Sequence, residues 1–446
     1  MPALAGPPPN VARVRSPAWT TLQNQQFRWL YASNAAFFFA MNGQMVVRSY
    51  LAFKITNDSP FALGLINLAV AIPMLVISPI GGVIADRVER RRLILTGQAL
   101  LILSEVTVFG LLVTGVLAFW HLMAIAVVMG CIFPFIMPAR QAIVVDIVGK
   151  RALPNAMALQ MAAMNAARVI APVLAGFVIY LLGVKATYFG AVIVYGVALL
   201  AMTRVHRSYA PARPARATMY GDIKDGFSYV WHDPPVRVLM FLGLVPILLA
   251  MPFQMLLVVF AEDVWDVGSR GFGVLQAAAG LGGLAGATFL AFTPPSARRL
   301  RMMMSSLLGF GICLFAFAAS PLFLLALPLV FVSDVFASVF QTINNTIIQT
   351  LIPDHVRGRV MSLMMMSFGL TPLGTVPISL VAQEWGAPVA VGGASVTMVI
   401  VSLAFYAFSR AFRQIDETAR VALAGIEDAP LIAPTASPDA LPAAAS

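Results

Sequence analysis

The stretch FALGLINLAVAIPMLVISPIGGVIADRVERRR, residues 61–92, decides the class of fold. Its first 24 residues carry no charged side chain, whereas six of its last seven are charged. A helix of about 20 apolar residues crosses the roughly 30 Å of hydrocarbon in a bilayer, because each residue rises about 1.5 Å. Lipid offers no hydrogen-bond partners to the backbone, so a crossing segment must be helical. The stretch therefore predicts a membrane-spanning helix that ends in a charged loop.

The same pattern recurs along the whole chain. Of the 446 residues, 60% are hydrophobic and only 11% are charged, whereas an ordinary soluble protein is about 25% charged. We predict an all-α polytopic membrane protein with about 12 transmembrane helices in two pseudo-symmetric six-helix halves. The predicted spans lie near 29–52, 61–84, 93–115, 118–138, 155–182, 186–203, 238–260, 270–292, 302–319, 322–348, 360–382 and 387–409.

Polar segments divide the chain into five parts. The second and fourth parts are the two six-helix halves, and the third is a polar linker that is able to form an amphipathic helix. The last part is rich in Ala and Pro and is predicted to be disordered. The five parts are 1–26, 27–203, 204–237, 238–413 and 414–446.

An internal repeat supports the division into halves. VDIVGKRALPNAMAL at 145–159 aligns without gaps to QTLIPDHVRGRVMSL at 349–363, which places Met157 over Met361. Both segments lead into the fifth helix of their half, as a duplicated architecture requires.

The basic residues predict the orientation. The connections after the second, fourth, sixth, eighth and tenth spans hold 18 of the 29 Lys and Arg residues, whereas the connections on the other face hold only Lys54, Lys185 and Arg270. Because cytoplasmic loops accumulate basic residues, we expect both termini of this multi-pass protein to lie in the cytoplasm. Basic loops beside anionic headgroups also account for the net charge of +10 without a nucleic-acid partner.

The charged loop GGVIADRVERRR at 81–92 resembles a motif of the major facilitator superfamily, G-x-x-x-D-R-x-G-R-R, and the resemblance extends over about 27–413. It implies a conformational latch that holds the two halves together on the cytoplasmic side. Glu89 replaces the usual glycine, which is similar to the branch of macrolide and siderophore (enterobactin-type) exporters. The residues that match the motif are Gly82, Asp86, Arg87, Arg90 and Arg91.

A second element, ARVIAPVLAG at 167–176, is similar to the G-P-x-x-G-G element of antiporters in that superfamily. Ala171 and Ala175 replace two of its glycines. The resemblance implies a hinge in the fifth helix at Pro172 and Gly176. Alternatively, these two residues only permit a bend and close helix packing, as they do in any membrane bundle.

Four charged residues fall inside predicted spans, where a charge is costly and usually faces the bundle interior or a water-filled cavity. They are Arg48, Glu105, Arg168 and Asp334. In the superfamily, the first and tenth spans line the central cavity, which favours Arg48 and Asp334 as cavity residues. Glu105 is equally well explained by a structural bond to a neighbouring helix, and Arg168 by a packing or latch role. We expect Asp334 to be the proton-coupling carboxylate.

The leading hypothesis is a secondary active transporter that exports a small amphipathic compound, drug-like or siderophore-like, by proton antiport and alternating access. One alternative is an importer or facilitator on the same fold, because a fold does not fix direction or substrate. Another is a membrane receptor or assembly factor that no longer transports.

An enzyme is not expected, because the sequence has no phosphate-binding glycine loop followed by lysine and no H-E-x-x-H motif. Its four histidines are scattered over loops and span ends. We expect no metal site and no cofactor. The expected partners are a small-molecule substrate, protons and the lipid bilayer, and the chain is expected to be a monomer.

Overall fold

The computed structural model describes residues 21–85, 88–206, 227–293, 299–353, 356, 360, 363–364, 366–367 and 369–408. Every regular element in these ranges is helical. The helices are α1 (Gln25–Ile55), α2 (Pro60–Ala85), α3 (Arg90–Thr114), a long stretch Phe119–Thr203, α7 (Pro234–Leu249), α8 (Phe253–Val259) with a π-helical turn Phe260–Val264, α9 (Gly268–Ala291), α10 (Arg299–Ala318), α11 (Phe323–Leu351), α12 (Thr371–Trp385) and α13 (Ala387–Phe408).

Two glycines divide the long stretch. Gly149 has φ 69° and Gly183 has φ 79°, a backbone conformation that costs glycine little and other residues much. They separate α4 (119–148), α5 (150–182) and α6 (184–203). The helices α2, α4, α6, α9 and α11 all finish at the same end of the bundle, which we call the basic end. The other end is called the opposite end.

Polar caps fix where two of the helices begin. The Asn24 side chain accepts hydrogen bonds from the amides of Gln26 and Phe27, at 2.9 and 3.2 Å, and starts α1. The Asp233 side chain accepts from the Val236 amide at 3.0 Å, and prolines follow it at the start of α7. Such caps satisfy backbone amides that have no partner within the helix.

The number of crossings agrees with the sequence pattern. Within the described ranges, nine helical segments are long and apolar enough to cross a bilayer. Three more helices complete the set and are missing from the nine for different reasons. The helix α1 carries several polar side chains, α6 follows α5 inside one of the nine segments and is not counted separately, and α12 has only 15 residues. Nine and three give the twelve crossings that were predicted.

Some predicted boundaries differ from the structure. The helix α7 begins at Pro234, four residues before the predicted span 238–260 and inside the predicted linker. The fourth predicted span ends at 138, but α4 continues to 148. Of the linker, the described part includes a short helix over 227–232. Most of 204–237, and the two tails apart from 21–26, lie outside the described residues.

Contacts between the first six helices and the later ones occur mainly along two seams. One seam joins α2 to α12 and the other joins α5 to α9. In the second seam, a Cβ atom on Gly176 would lie 2.7 Å from the Cα atom of Gly273. Small residues allow two backbones to approach this closely, so they set the spacing of the helices around the central cavity.

Candidate functional site

A cavity of about 380 Å³ lies where α5 faces α7 to α11. It has a mixed lining: the charged Arg168 and Asp334, amides and hydroxyls, and large apolar side chains. The apolar members include Met161, Met164 and Met251. Methionine is flexible and polarisable, so such a wall adapts to apolar surfaces of different shape.

Asp334 is the buried carboxylate of this cavity. It lies in α11 with 4% of its surface exposed. Its Oδ2 atom accepts no hydrogen bond from any described residue. An ionised carboxylate in that setting is costly unless it is paired or protonated. Asp334 is therefore placed to exchange a proton or to accept a cationic partner.

Close packing between α9 and α11 holds Asp334 in position. A Cβ atom on Gly282 would lie 2.1 Å from the Phe331 carbonyl oxygen and 3.1 Å from Cβ of Asp334. One turn later, a Cβ atom on Gly286 would lie 2.5 Å from the Val335 carbonyl oxygen. Only glycine fits at these positions, so two glycines four residues apart fix the depth of the carboxylate.

Arg168 supplies the opposite charge of the cavity. It lies on α5, it is exposed, and it lines the same cavity as Asp334. No ion pair within 4.0 Å joins the two among the described side chains. A substrate group or a proton therefore has access to Asp334 without first displacing a direct arginine contact.

Arg48 and Glu105 lie together in another part of the bundle. The Nη2 atom of Arg48 is 2.6 Å from Oε1 of Glu105, and the two residues are 7% and 1% exposed. Gln44 donates from its amide to the other carboxylate oxygen, and Met129 Sδ lies 2.5 Å from Nη1 of Arg48. Neither charged residue lines the cavity around Asp334, which differs from the expectation for Arg48. The pair joins α1 to α3 and α4.

The motif arginines contact helices of their own half. Nη1 of Arg90 lies 2.5 Å from Oδ2 of Asp146, which joins the start of α3 to α4. Nη2 of Arg91 donates to the Thr203 carbonyl oxygen at 2.6 Å, at the end of α6. Gly82 lies in the last turn of α2, whereas Asp86 and Arg87 lie outside the described residues.

Pro172 and Gly176 lie on the seam between α5 and α9. Residues 150–182 have helical dihedral angles throughout, so α5 shows no break at either position. A Cβ atom on Gly273 would lie 3.1 Å from the Cα atom of Gly176 and 3.3 Å from the Pro172 carbonyl oxygen. In this conformation the two residues serve close packing against α9.

Arg140 is a buried charge that sequence analysis missed, because it was counted in a basic loop. It is 3% exposed in α4, where it donates to the Asn34 side chain and lies 4.0 Å from the centroid of the Phe37 ring. No carboxylate pairs with it within the described ranges. The missed signal is an apolar stripe at helical spacing that continues α4 past residue 138: Ala139, Ile143, Val144, Ile147 and Val148.

A polar contact that we call the clasp joins α1 and α2 to α8 and α12 at the opposite end, and it was not predicted either. Nζ of Lys54 lies 2.7 Å from Oε2 of Glu262, which is only 12% exposed. The Ser59 hydroxyl donates to Oε1 of Gln383 at 2.7 Å. Ion pairs between residues more than 200 positions apart leave no trace in a hydropathy pattern.

No metal centre is evident near these residues. Within the described ranges, no group of three or more His, Cys, Asp or Glu side chains is arranged to hold a metal ion.

Comparison with known proteins identifies the family. A family model described as "Transmembrane secretion effector" matches residues 16–439. The staphyloferrin A transporter of Staphylococcus aureus is 23% identical over 357 residues, which cover 80% of this chain and 89% of that protein. The multidrug efflux pump Tap of Mycolicibacterium fortuitum is 28% identical over 331 residues, covering 72% and 80%. The enterobactin exporter EntS of Escherichia coli is 26% identical over 284 residues, covering 63% and 67%.

Solved structures show the same fold. A peptide transporter POT in complex with sulfate has a TM-score of 0.68 at 14% identity, covering 89% of this chain and 99% of that one. The nucleoside transporter NupG has a TM-score of 0.67 at 11% identity, covering 86% and 100%. The predicted all-α major facilitator fold is confirmed. The chain belongs to the transmembrane secretion effector family of the major facilitator superfamily, and is a multi-pass transporter of a bacterial family, not an enzyme.

Proposed function

We propose that this protein exports a small amphipathic organic compound, siderophore-like or drug-like, in exchange for protons. The observation that carries the proposal is Asp334, a buried carboxylate with an unbonded oxygen that lines a cavity opposite Arg168. The named activities of the relatives, siderophore export and multidrug efflux, support export as the direction.

The chemistry follows from the cost of a buried charge. When Asp334 is protonated, it is neutral and does not attract a positive group of the substrate. When Asp334 is ionised, it needs a cation: Arg168, or a positive group of the substrate. A proton and a substrate that alternate at the same carboxylate couple inward proton flow to export. In this scheme the methionines of the cavity contact the apolar part of the substrate.

Alternating access is supported by the distribution of contacts between the two ends. At the opposite end, Lys54 bonds Glu262 and Ser59 bonds Gln383, so α1 and α2 are tied to α8 and α12. At the basic end, the hydrogen bonds of Arg90 and Arg91 to described residues go to Asp146 and Thr203, which both precede residue 204. We interpret this conformation as open toward the basic end. The latch role of the motif would then belong to the alternative conformation.

The remaining assignments follow the sequence pattern. We propose that the basic end is cytoplasmic, that both termini lie there, and that the protein resides in the bacterial inner membrane as a monomer. The moving units are the two six-helix halves, 27–203 and 238–413.

The test is transport by the purified full chain in proteoliposomes with an imposed pH gradient. The panel contains enterobactin, staphyloferrin A and ethidium, and the variant is Asp334→Asn. We expect gradient-driven movement of at least one compound by the wild type and loss of gradient dependence in the variant. Asp266→Asn is a matched control, because this exposed loop residue has φ 50°, which asparagine tolerates.

Full gradient-driven transport in Asp334→Asn would exclude Asp334 as the coupling residue. Movement down the proton gradient, in the same direction as the protons, would indicate an importer. A wild type that moves no compound would favour a receptor or assembly role.

A further inference from the structure

A second recess of about 80 Å³ opens beside the cavity, toward the basic end. It lies between α7, α11 and the segment that contains Met364 and Ser367. Ile247 and Gln341 line both the recess and the cavity around Asp334, so the two spaces are contiguous. Since one water molecule needs a cavity volume of about 10–15 Å³, the recess has room for several water molecules or for a small polar group.

The polar lining of the recess is made almost entirely of amides from one helix. Gln341, Asn344, Asn345 and Gln349 follow one another in α11 at spacings of three, one and four residues, which puts them on one helical face. None of the described residues that line the recess is charged. A site with amides and without charges selects uncharged groups that donate or accept hydrogen bonds.

Asn344 is the decisive member of this set. It is 1% exposed, and its Oδ1 atom accepts no hydrogen bond from any described residue. A buried amide oxygen without a donor is costly, so the site favours any bound group that brings an N–H or O–H. Gly243 of α7 makes the arrangement possible, because a Cβ atom there would lie 2.8 Å from Nδ2 of Asn344.

We propose that this recess, which we call the amide subsite, binds the uncharged N–H or O–H donor groups of the exported compound. The charged group of the same compound lies near Asp334 and Arg168 in the contiguous cavity. The inference rests on the proposed export function and adds a substrate class to it: amphipathic compounds with both a charged group and a neutral hydrogen-bond donor. Asn344 is then a specificity-determining residue.

The test measures binding to the purified full chain with two pairs of probes. The first pair is ethidium, a cation with two amine donors, and tetraphenylphosphonium, a cation with no donor. The second pair is enterobactin and a derivative methylated at both its catechol oxygens and its amide nitrogens, in which no N–H or O–H donor remains. The variants are Asn344→Leu and Gly243→Ala, whose new methyl group displaces the Asn344 amide.

Both variants are expected to weaken binding of ethidium or enterobactin about 3- to 10-fold, the value of one buried hydrogen bond. Binding of the donor-poor partner should change less than about twofold. Asn42→Leu is the matched control, because the Asn42 amide bonds the Phe38 carbonyl oxygen of its own helix at 2.8 Å and lines neither space. It should leave both pairs unchanged.

Equal effects on both members of each pair, or no effect in either variant, would overturn the amide subsite and mean that the recess holds water only. The export proposal would survive that result. A wild type that binds none of the four probes would overturn the export proposal and the amide subsite together.

Discussion

Glu105 in α3 and Asp334 in α11 are both carboxylates buried within membrane helices, yet their surroundings differ. Glu105 has a direct arginine partner at 2.6 Å and an amide donor on its other oxygen. Among the described residues, no donor bonds Oδ2 of Asp334, and Arg168 is the one other charged residue that lines its cavity. The charge of the first carboxylate is compensated by a direct contact, whereas the second has no direct contact with a described cation and shares its cavity with Arg168.

Under the proposed function, the difference separates a structural charge at Glu105 from a functional one at Asp334. A buried pair is weak evidence for stability, but removal of one member leaves an uncompensated charge and is strongly destabilising. An unpaired buried carboxylate already destabilises the folded state, so its removal should increase the free energy of unfolding or leave it unchanged. The two sites should therefore respond to mutation with opposite signs.

The largest effect is expected at the paired site. Glu105→Leu leaves Arg48 buried without its carboxylate, and we expect a loss of about 3–5 kcal/mol in unfolding free energy. The double variant Arg48→Met with Glu105→Leu removes both charges and should recover most of that loss. Thermal unfolding in detergent measures both variants. A double variant no more stable than Glu105→Leu would contradict the structural interpretation of the pair.

The unpaired site should behave in the opposite way. Asp334→Leu removes a carboxylate that no described residue bonds, so we expect unchanged or increased stability, by up to about 1–3 kcal/mol. Gradient-driven transport should nevertheless fall to the background of empty liposomes. Thermal unfolding and proteoliposome transport are measured on the same preparation. Destabilisation comparable to that of Glu105→Leu would remove the distinction between the two sites.

The third effect concerns the packing that positions Asp334. Gly282→Ala puts a methyl group 2.1 Å from the Phe331 carbonyl oxygen, and we expect a cost of about 1–3 kcal/mol. Gly393→Ala in α13 is the control, because a Cβ atom there meets nothing within 4 Å and alanine favours a helix. Thermal unfolding should shift in opposite directions. Equal shifts would mean that α9 does not pack on α11 as described.

The smallest effect is expected at the clasp. Lys54 is 38% exposed, so Lys54→Gln should shift the conformational equilibrium by no more than about 1 kcal/mol. The readout is thiol labelling of Asn67→Cys, since Asn67 faces Thr375 across the seam between α2 and α12. The two native cysteines are first replaced.

We expect Lys54→Gln to increase labelling of that cysteine from the opposite end. The exchanged pair Lys54→Glu with Glu262→Lys should restore the wild-type rate. An exchanged pair that labels like Lys54→Gln would show that the contact does not stabilise this conformation.

Sequence by itself determined the class of fold, the number of crossings and most helix positions. The reason is that lipid imposes one local rule, a helix of about 20 apolar residues, which each segment obeys without reference to its neighbours. The same rule marked Arg48, Glu105, Arg168 and Asp334 as costly charges, before any partner was known. It failed where a charge interrupted the apolar run: the predicted fourth span ends at 138 and leaves Arg140 in a loop, although the stripe that includes Ile143 and Val144 continues the helix.

Tertiary structure alone decided which of these charges are compensated. Arg48 and Glu105 are 57 positions apart, and Lys54 and Glu262 belong to different six-helix halves, so each pairing depends on how two helices rotate and approach. The approach is set by glycines such as Gly282, whose role appears only when the facing backbone is known. Hydropathy depends on the local sequence, whereas charge compensation depends on contacts between distant segments. For that reason only the tertiary structure shows that Asp334 lacks a direct partner among the described residues.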